Sequence, residues 1–500
     1  MQKLYKKLSP FWWFGPFLLM AIYRLKQFMP NSDMWFLIDT GRYIVNNGIP
    51  SNNVFTHHPD FAITVQQWAT SVIYYQLYDW FGLAGHLALC LLMYGVTMWL
   101  FYVYIRMFTQ NTQTASLALF AASIIVMQFM TNRPFVFTIP IFLCALIVLK
   151  KWHETQKHVF LLGMLPLAAL QTNFQSAMWP MLLVFTVPYW FPHDIPLKHE
   201  LKPALTQWWK RNRWLFLAMI GMCASAFLNP QGLDNVLYTV KSYTQTMSGT
   251  YIHEMAPPVI TKTEGIAAII AITLLVRYVA NTVPMIPENS HRKHTRIVNI
   301  FFAAGTILLA IMHHRNFCFL ALGCLPLLID VLDTIQFTEP KPISNKQART
   351  SLCTIFLIPV LCCAILLPII PFGTHMEDSI TTPYKAVEYL DSIEDKDEIL
   401  LFNGYNSGGF LEWHDYKVYI DARAEIYAKS VNGQKDILDE YMKLMSGQIH
   451  CSEVLSQYPF THLIAYESVV MAYLDAHPDY QTVVRGNGYN MYVYAPMEEK

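Results

Sequence analysis

The sequence predicts a polytopic α-helical membrane protein of about eleven transmembrane helices, followed by a small extracytoplasmic α/β domain at the C-terminus. Three observations carry this expectation. Of 500 residues, 54% are hydrophobic and only 14% charged, against ~25% charged in soluble domains. Long apolar runs recur from the N-terminus to about residue 371. Beyond Pro371 those runs stop, charged residues return, and the periodicity alternates between strand and helix.

Spans are expected near 9–28, 84–107, 114–131, 134–150, 159–175, 177–192, 213–229, 264–281, 297–313, 316–332 and 351–371. Several are short for a bilayer that needs ~20 residues, which leaves room for one re-entrant pair. Pro134, Pro140, Pro166, Pro180 and Pro326 fall inside spans or at their ends, where neighbouring helices can satisfy the freed carbonyls. Lys3, Lys6 and Lys7 precede the first apolar run, and no small-residue cleavage site follows it, so an uncleaved span is expected. With the N-terminus in the cytoplasm, internal segments hold nineteen Lys and Arg against seven outside. The first loop (29–83), the loop 229–264 and the C-terminal region then all face outward. The expected domains are 1–372, membrane-embedded in the cell (cytoplasmic) membrane, and 373–500, extracytoplasmic.

The first loop is the longest polar interruption in the first half of the chain. Trp35–Asn46 alternates aromatic and aliphatic residues with Asp, Arg and Asn, which suits a helix lying in the membrane interface. Ser32 or Asp33 is placed to cap it, and Gly48-Ile-Pro50 to end it. Trp68–Phe81 reads as a second amphipathic helix. In the C-terminal region, helices are expected at Tyr384–Ile393, Gly433–Met445 and Val469–Ala476, with a glycine turn leading into a short helix over Asn406–Glu412. Strands are expected at Glu398–Phe402, Lys417–Ile420 and Thr461–Ala465, with a hairpin of Gln481–Arg485 and Met491–Tyr494 across Gly486-Asn487-Gly488.

Composition also excludes. A formal net charge of zero argues against a nucleic-acid partner. All but Cys451 of the nine cysteines lie in apolar segments, without C-x-x-C or Cys/His ligand spacing, so they read as packing residues. No G-x-G-x-x-G supports a nucleotide site. A transporter would favour paired ionisable groups at mid-membrane or inverted repeats, and neither is evident. No cofactor is expected.

The motifs carry a further expectation. Asp33-Met-Trp35 is followed by Thr40-Gly-Arg42-Tyr-Ile44 and then by Gln66-Gln67-Trp68. Later come Asn173 and Gln175, Leu228-Asn-Pro-Gln-Gly232, Ile252-His-Glu-Met255, Asn406-Ser-Gly-Gly-Phe410, and Tyr419-Ile-Asp-Ala-Arg423 with Tyr427. In this order they resemble the GT-C superfamily of membrane glycosyltransferases, closest to a poorly characterised bacterial group with D-x-W-x-x-x-x-T-G-R-x-I in its first external loop. The resemblance implies a multi-span bundle with an external cavity. It also implies a polyprenyl-phosphate-linked sugar as donor, and a cell-envelope glycan, lipid or protein as acceptor.

Within that resemblance Asp33 takes the place of the first-loop base, with Glu254 as a second candidate base. A helix cap is the structural alternative for Asp33. Asp39 and Arg42 are candidate substrate contacts, weighed against a surface i,i+3 ion pair, which is slightly favoured. Gln66 and Gln67 replace the His-Glu of many relatives; they can bond sugar hydroxyls but cannot act as bases. Trp68 is placed to stack on a sugar face or to anchor in the interface. Arg133, His313, His314 and Arg315 are placed to receive the carrier phosphate, or to snorkel. Asn173 and Gln175 are expected to face a cavity. Asn406 is a further candidate contact, beside a Gly-Gly turn open to a ligand. Asp421 and Arg423 either bind acceptor or tie the outer domain down, the second being favoured. The chain lacks the adjacent Asp-Glu pair of protein mannosyltransferases and the later paired acidic motif of oligosaccharyltransferases, so a divalent metal is unsupported. The alternative function is non-catalytic handling of a lipid-linked glycan.

Overall fold

The computed structural model describes residues 1–27, 31–191, 201–243, 257–259, 262–282, 291–337, 343–369 and 378–496. The chain divides into two compact units. One comprises Met1–Lys26, Leu89–Gly232 and Ile252–Ile370; the other comprises Gln27–Ala88, Leu233–Tyr251 and Pro371–Lys500.

In chain order the helices begin with α1 (Gln2–Leu8), α2 (Phe14–Gln27), α3 (Ser32–Asn47) and α4 (Trp68–Arg106). They continue with α5 (Thr112–Met127), α6 (Phe135–Thr155), α7 (Met164–Phe174), α8 (Pro180–Val184), α9 (Leu201–Ser225) and α10 (Gly232–Tyr243). Then come α11 (Thr263–Thr282), α12 (His291–Met312), α13 (Cys318–Gly323), α14 (Leu325–Leu332), α15 (Asn345–Leu352) and α16 (Ile358–Ile369).

Among the described residues, five helices are long and apolar enough to cross a membrane, or six if the pair 314–332, bent by 48°, counts as one span. Three shorter apolar helices accompany them: Phe14–Tyr23, Thr112–Met127 and His158–Phe174. Among the described residues, several of the expected spans are short or broken, and proline and charge account for the breaks. The expected span 177–192 breaks into α8 and flanking 3₁₀ turns, with Pro180 and Pro188 each at the start of a short element. The bend at 324 falls where Pro326 sits in the first turn of α14. α9 is long enough, but Lys210, Arg211 and Arg213 interrupt its apolar stretch.

α4 holds two expected segments in one. Gly82, at φ 56° and ψ −146°, breaks it between the first-loop helix and the span, a conformation open to glycine without strain.

The membrane unit packs through aromatic and small side chains. Phe142 stacks near Phe319 and meets Phe185 edge-on, and Ala303, Ala310 and Leu327 are enclosed in the cluster formed by α11, α12 and α14. Asn173 donates to the carbonyls of Ala169 and Leu228. Gln175 accepts from Thr138 Oγ1 at 2.7 Å, and its carbonyl accepts from Gln171. Gln175 thus ties α6 to α7 through its side-chain oxygen and its carbonyl.

The second unit contains α17 (Tyr384–Asp391), α18 (Gly408–Trp413), α19 (Lys429–Asn432), α20 (Ile437–Met445), α21 (Cys451–Leu455) and α22 (Ser468–Ala476). Its sheet is built from β1 (Leu401–Phe402), β2 (His462–Ala465), β3 (Tyr480–Arg485) and β4 (Asn490–Tyr494), in the order β1-β2-β4-β3. β1 runs parallel to β2, and β4 is antiparallel to both its neighbours. The hairpin closes as expected, with Gly486 N–H donating to the Tyr489 carbonyl. The expected strand at Lys417–Ile420 does not join this sheet. Val418 instead forms an isolated bridge with Thr56 of the first loop.

The first loop folds into this unit. Within α3, Met34–Gly41 are all buried, because α18 and the first turns of α4 cover that part of the helix. A Cβ on Gly409 would come 2.7 Å from Phe36 N, and one on Gly41 would come 2.0 Å from the Ser71 carbonyl. The Gly-Gly turn therefore lets backbone approach α3, not a ligand. Trp35 meets Phe410 at 5.3 Å and Tyr78 at 5.7 Å between ring centroids. The cap of α3 is Asn31, whose side chain accepts from Met34 N–H at 2.8 Å; neither Ser32 nor Asp33 has that role.

Candidate functional site

The polar centre of the second unit grows from α3, α18 and the stretch 419–427. Asp39 sits one helical turn before Arg42, and both point toward α18. Arg42 Nη2 is 2.5 Å from Asp39 and 2.8 Å from Asp415, and it also donates to the Glu412 carbonyl. Its guanidinium lies 4.5 Å from the Trp413 ring centroid. Asp39 is only 5% exposed, so the expected surface pair is in fact a buried one. Burial, partly offset by Arg42, pushes the Asp39 carboxyl up to about 6.

Next to this pair lies a second, deeper cluster. Arg423 donates from its backbone N–H and Nε to Asp421 Oδ1, and from Nη2 to Asp421 Oδ2 and Glu412 Oε1. The Tyr427 hydroxyl donates to Asp421 Oδ2 at 2.5 Å. Asp421 is fully enclosed. Burial alone would raise its carboxyl, but the Arg423 charge and these hydrogen bonds outweigh it and hold Asp421 below the usual range. Burial raises Glu412 well above its usual range despite Arg423. Arg423 thus serves two buried carboxyls at once, Asp421 and Glu412. Two buried carboxylates against one guanidinium would leave an uncompensated charge, which is the physical reason the Glu412 carboxyl is pushed up while Asp421 is held down.

Arg423 Nη1 has no hydrogen-bond partner. Arg423 is one wall of a cleft whose other walls include Thr40, Gln66, Gln67, Ser71, Tyr238 and Glu425. Gln66 donates to Glu425 Oε1 at 2.9 Å, while its own Oε1 and Ser71 Oγ are unmatched. The cleft thus presents donors from Arg423 and Ser71 and acceptors from Gln66, a set suited to a small polar group such as a hydroxyl. Its volume of about 20 Å³ is that of a single water-sized group. Burial, then the charges of Asp33, Glu425 and Asp421, push the Tyr405 phenol well up, so Asp33 and the 421–425 stretch act on one ring.

Of the residues singled out from sequence, this unit brings together Asp33, Asp39, Arg42, Gln66, Gln67, Asp421 and Arg423. Trp68 starts α4 and is not in the cleft wall. Asn406 is exposed in the turn before α18. The membrane unit holds the others. The Arg315 guanidinium lies 5.4 Å from the ring centroid of Phe135, two residues after Arg133, so the two arginines come to one end of that unit. His314 pairs with Glu264 at 3.1 Å, beside His313 at the start of the same turn. Glu254 lies outside the described residues. Among the described residues no three His, Cys, Asp or Glu side chains gather as a metal site would require.

Sequence reasoning missed Glu412, Glu425, Ser71 and Tyr238. Glu425 carries a usable signal, two positions beyond Arg423; the others are visible only once the chain has folded. It also missed His57 and His58. The His57 ring accepts from Leu401 N–H at 3.1 Å, and His58 Nε2 lies 3.0 Å from the Tyr419 carbonyl. Both rings dock the first loop onto the C-terminal domain. Burial lowers the His57 ring to about 4.

No protein-family model matches the sequence, and no curated protein does. Among solved structures the chain is similar to ArnT from Cupriavidus metallidurans in the apo state, a GT-C family glycosyltransferase. The identity is 12% and the TM-score 0.49, over 96% of this chain and 97% of that one.

Proposed function

We propose that this polytopic membrane protein is a glycosyltransferase that takes a sugar from a polyprenyl-phosphate carrier at the outer membrane face and passes it to a cell-envelope glycan, lipid or protein. The supporting observation is the gathering of first-loop and outer-domain motif residues around one buried polar cluster and cleft. Asp33 is the base that takes the acceptor's proton. Gln66 and Arg423 offer an acceptor and a donor to a sugar hydroxyl. Arg133 and Arg315 receive the carrier phosphate through their planar forks.

Asn31 caps α3, so Asp33→Asn leaves the cap in place while removing the ability to accept a proton. The test is transfer from a polyprenyl-phosphate sugar to envelope acceptor, in membranes matched for protein abundance. A fall of ~100- to 10,000-fold is expected for Asp33→Asn, with Asp39→Asn and Glu254→Gln assayed in parallel. Full activity in Asp33→Asn with loss in Glu254→Gln would move the base to Glu254. Full function in all three would favour the second reading, a non-catalytic handler of lipid-linked glycan. One observation favours that reading: the buried carboxyls Asp421 and Glu412 are both occupied by Arg423.

A further inference from the structure

A groove of about 410 Å³ opens on the membrane unit, within the ~300–1,000 Å³ range of ligand sites, and its walls are almost wholly apolar. Phe11, Phe17, Tyr94, Trp99 and Phe356 line it, and Lys7 stands at one end. The floor is firm: Trp13 donates to Ser116 Oγ, which donates to the Pro10 carbonyl.

Basic side chains gather where the N-terminal helix meets the segment after residue 343. α1 packs on α15, with Gln2 bonded to Asn345 Oδ1 and to the Ile343 carbonyl. The N-terminal amine, Lys3, Lys6 and Lys7 therefore share one end of the unit with Lys346 and Arg349. Neither Met1–Gln27 nor residues 343–369 contain an Asp or Glu. An apolar groove offers water no hydrogen bonds, and a basic rim at its mouth attracts a phosphate.

We propose that this groove binds one anionic glycerophospholipid, with an acyl chain along the aromatic wall and the headgroup phosphate at Lys7 and Lys3. The site is independent of the sugar-transfer reading: it uses none of the same residues.

The test titrates phosphatidylglycerol, phosphatidylcholine and inorganic phosphate into the delipidated full chain in detergent, with bound lipid counted by native mass spectrometry. Phosphatidylglycerol should bind in preference to phosphatidylcholine, and phosphate should not displace it. Lys3→Gln and Lys7→Gln should each weaken phosphatidylglycerol roughly fivefold, and together on the order of 25-fold. Met98→Trp, which fills the groove wall, should weaken it with every lysine intact. Size-exclusion profiles report that each variant is folded. Equal retention of the two lipids, wild-type binding in Met98→Trp, displacement by phosphate, or tighter binding of a polyprenyl phosphate would each overturn the proposal.

Discussion

Two first-loop groups titrate in opposite senses. His57 has a folded-state value of about 4 against an ordinary 6.5. Its contribution to stability is full above pH 6.5 and is lost as pH falls toward 4. Asp39 has a folded-state value of about 6 against 3.8. Its contribution is full below pH 3.8 and is lost as pH rises toward 6. Each shift is worth about 3 kcal/mol, so between pH 4 and 6 the two largely cancel. Asp39→Asn should therefore make the folded chain lose stability on acidification through that window. His57→Gln, which keeps an acceptor for Leu401 N–H, should make it gain stability. Thermal unfolding in detergent at pH 6, 5 and 4 reads both slopes; parallel slopes in the two variants would contradict the assignment. The sequence showed Asp39 and Arg42 at ion-pair spacing but not their burial, since that depends on α18, some 370 positions away. His57 and His58 gave no pattern at all, because their partners are backbone groups of β1 and of residue 419.

At the scale of elements, the helices and strands of the C-terminal domain were largely legible. Glycine and asparagine turns punctuate them, and their apolar periods switch cleanly. The membrane elements were legible as apolar segments but not as unbroken spans, because proline and internal charge decide where a helix stops. The packing of α3 was not legible. Its alternating pattern suits a lipid interface as well as a protein one, and only the glycines hint at close backbone approach. Gly41→Ala and Gly409→Ala should each lower stability by about 1–3 kcal/mol through overpacking, read as a lower unfolding midpoint. Gly305→Ala, where a Cβ meets nothing within 4 Å, is the control and should leave the midpoint unchanged or slightly higher.

For the molecule as a whole, the nineteen-to-seven charge bias predicts sidedness. Reporter fusions after Lys151 should read as cytoplasmic and fusions after Pro371 as external. A cytoplasmic reading after Pro371 would take Asp33 and Asp421 away from a donor at the outer face. That α3 and residues 408–427 share one unit was half-visible in the sequence: the charge bias puts both on one side, but contact between them is a property of the fold.

The second unit is assembled from segments 27–88, 233–251 and 371–500, and this sets an order of biogenesis. The ribosome completes α3 early, yet the α18 residues that close over Trp35 and Phe36 emerge only after every membrane segment has been made. Until then the nascent chain displays an aromatic helix of the kind that proteases and chaperones recognise. Exposure of that helix would serve as a timer, distinguishing finished molecules from abandoned ones. A chain truncated after residue 370 should insert normally and then be cleared faster than the full chain in a pulse-chase experiment. Replacing Trp35 and Phe36 with serine should lengthen the truncated chain's lifetime. Equal lifetimes for truncated and full chains would show that no such surveillance operates on α3.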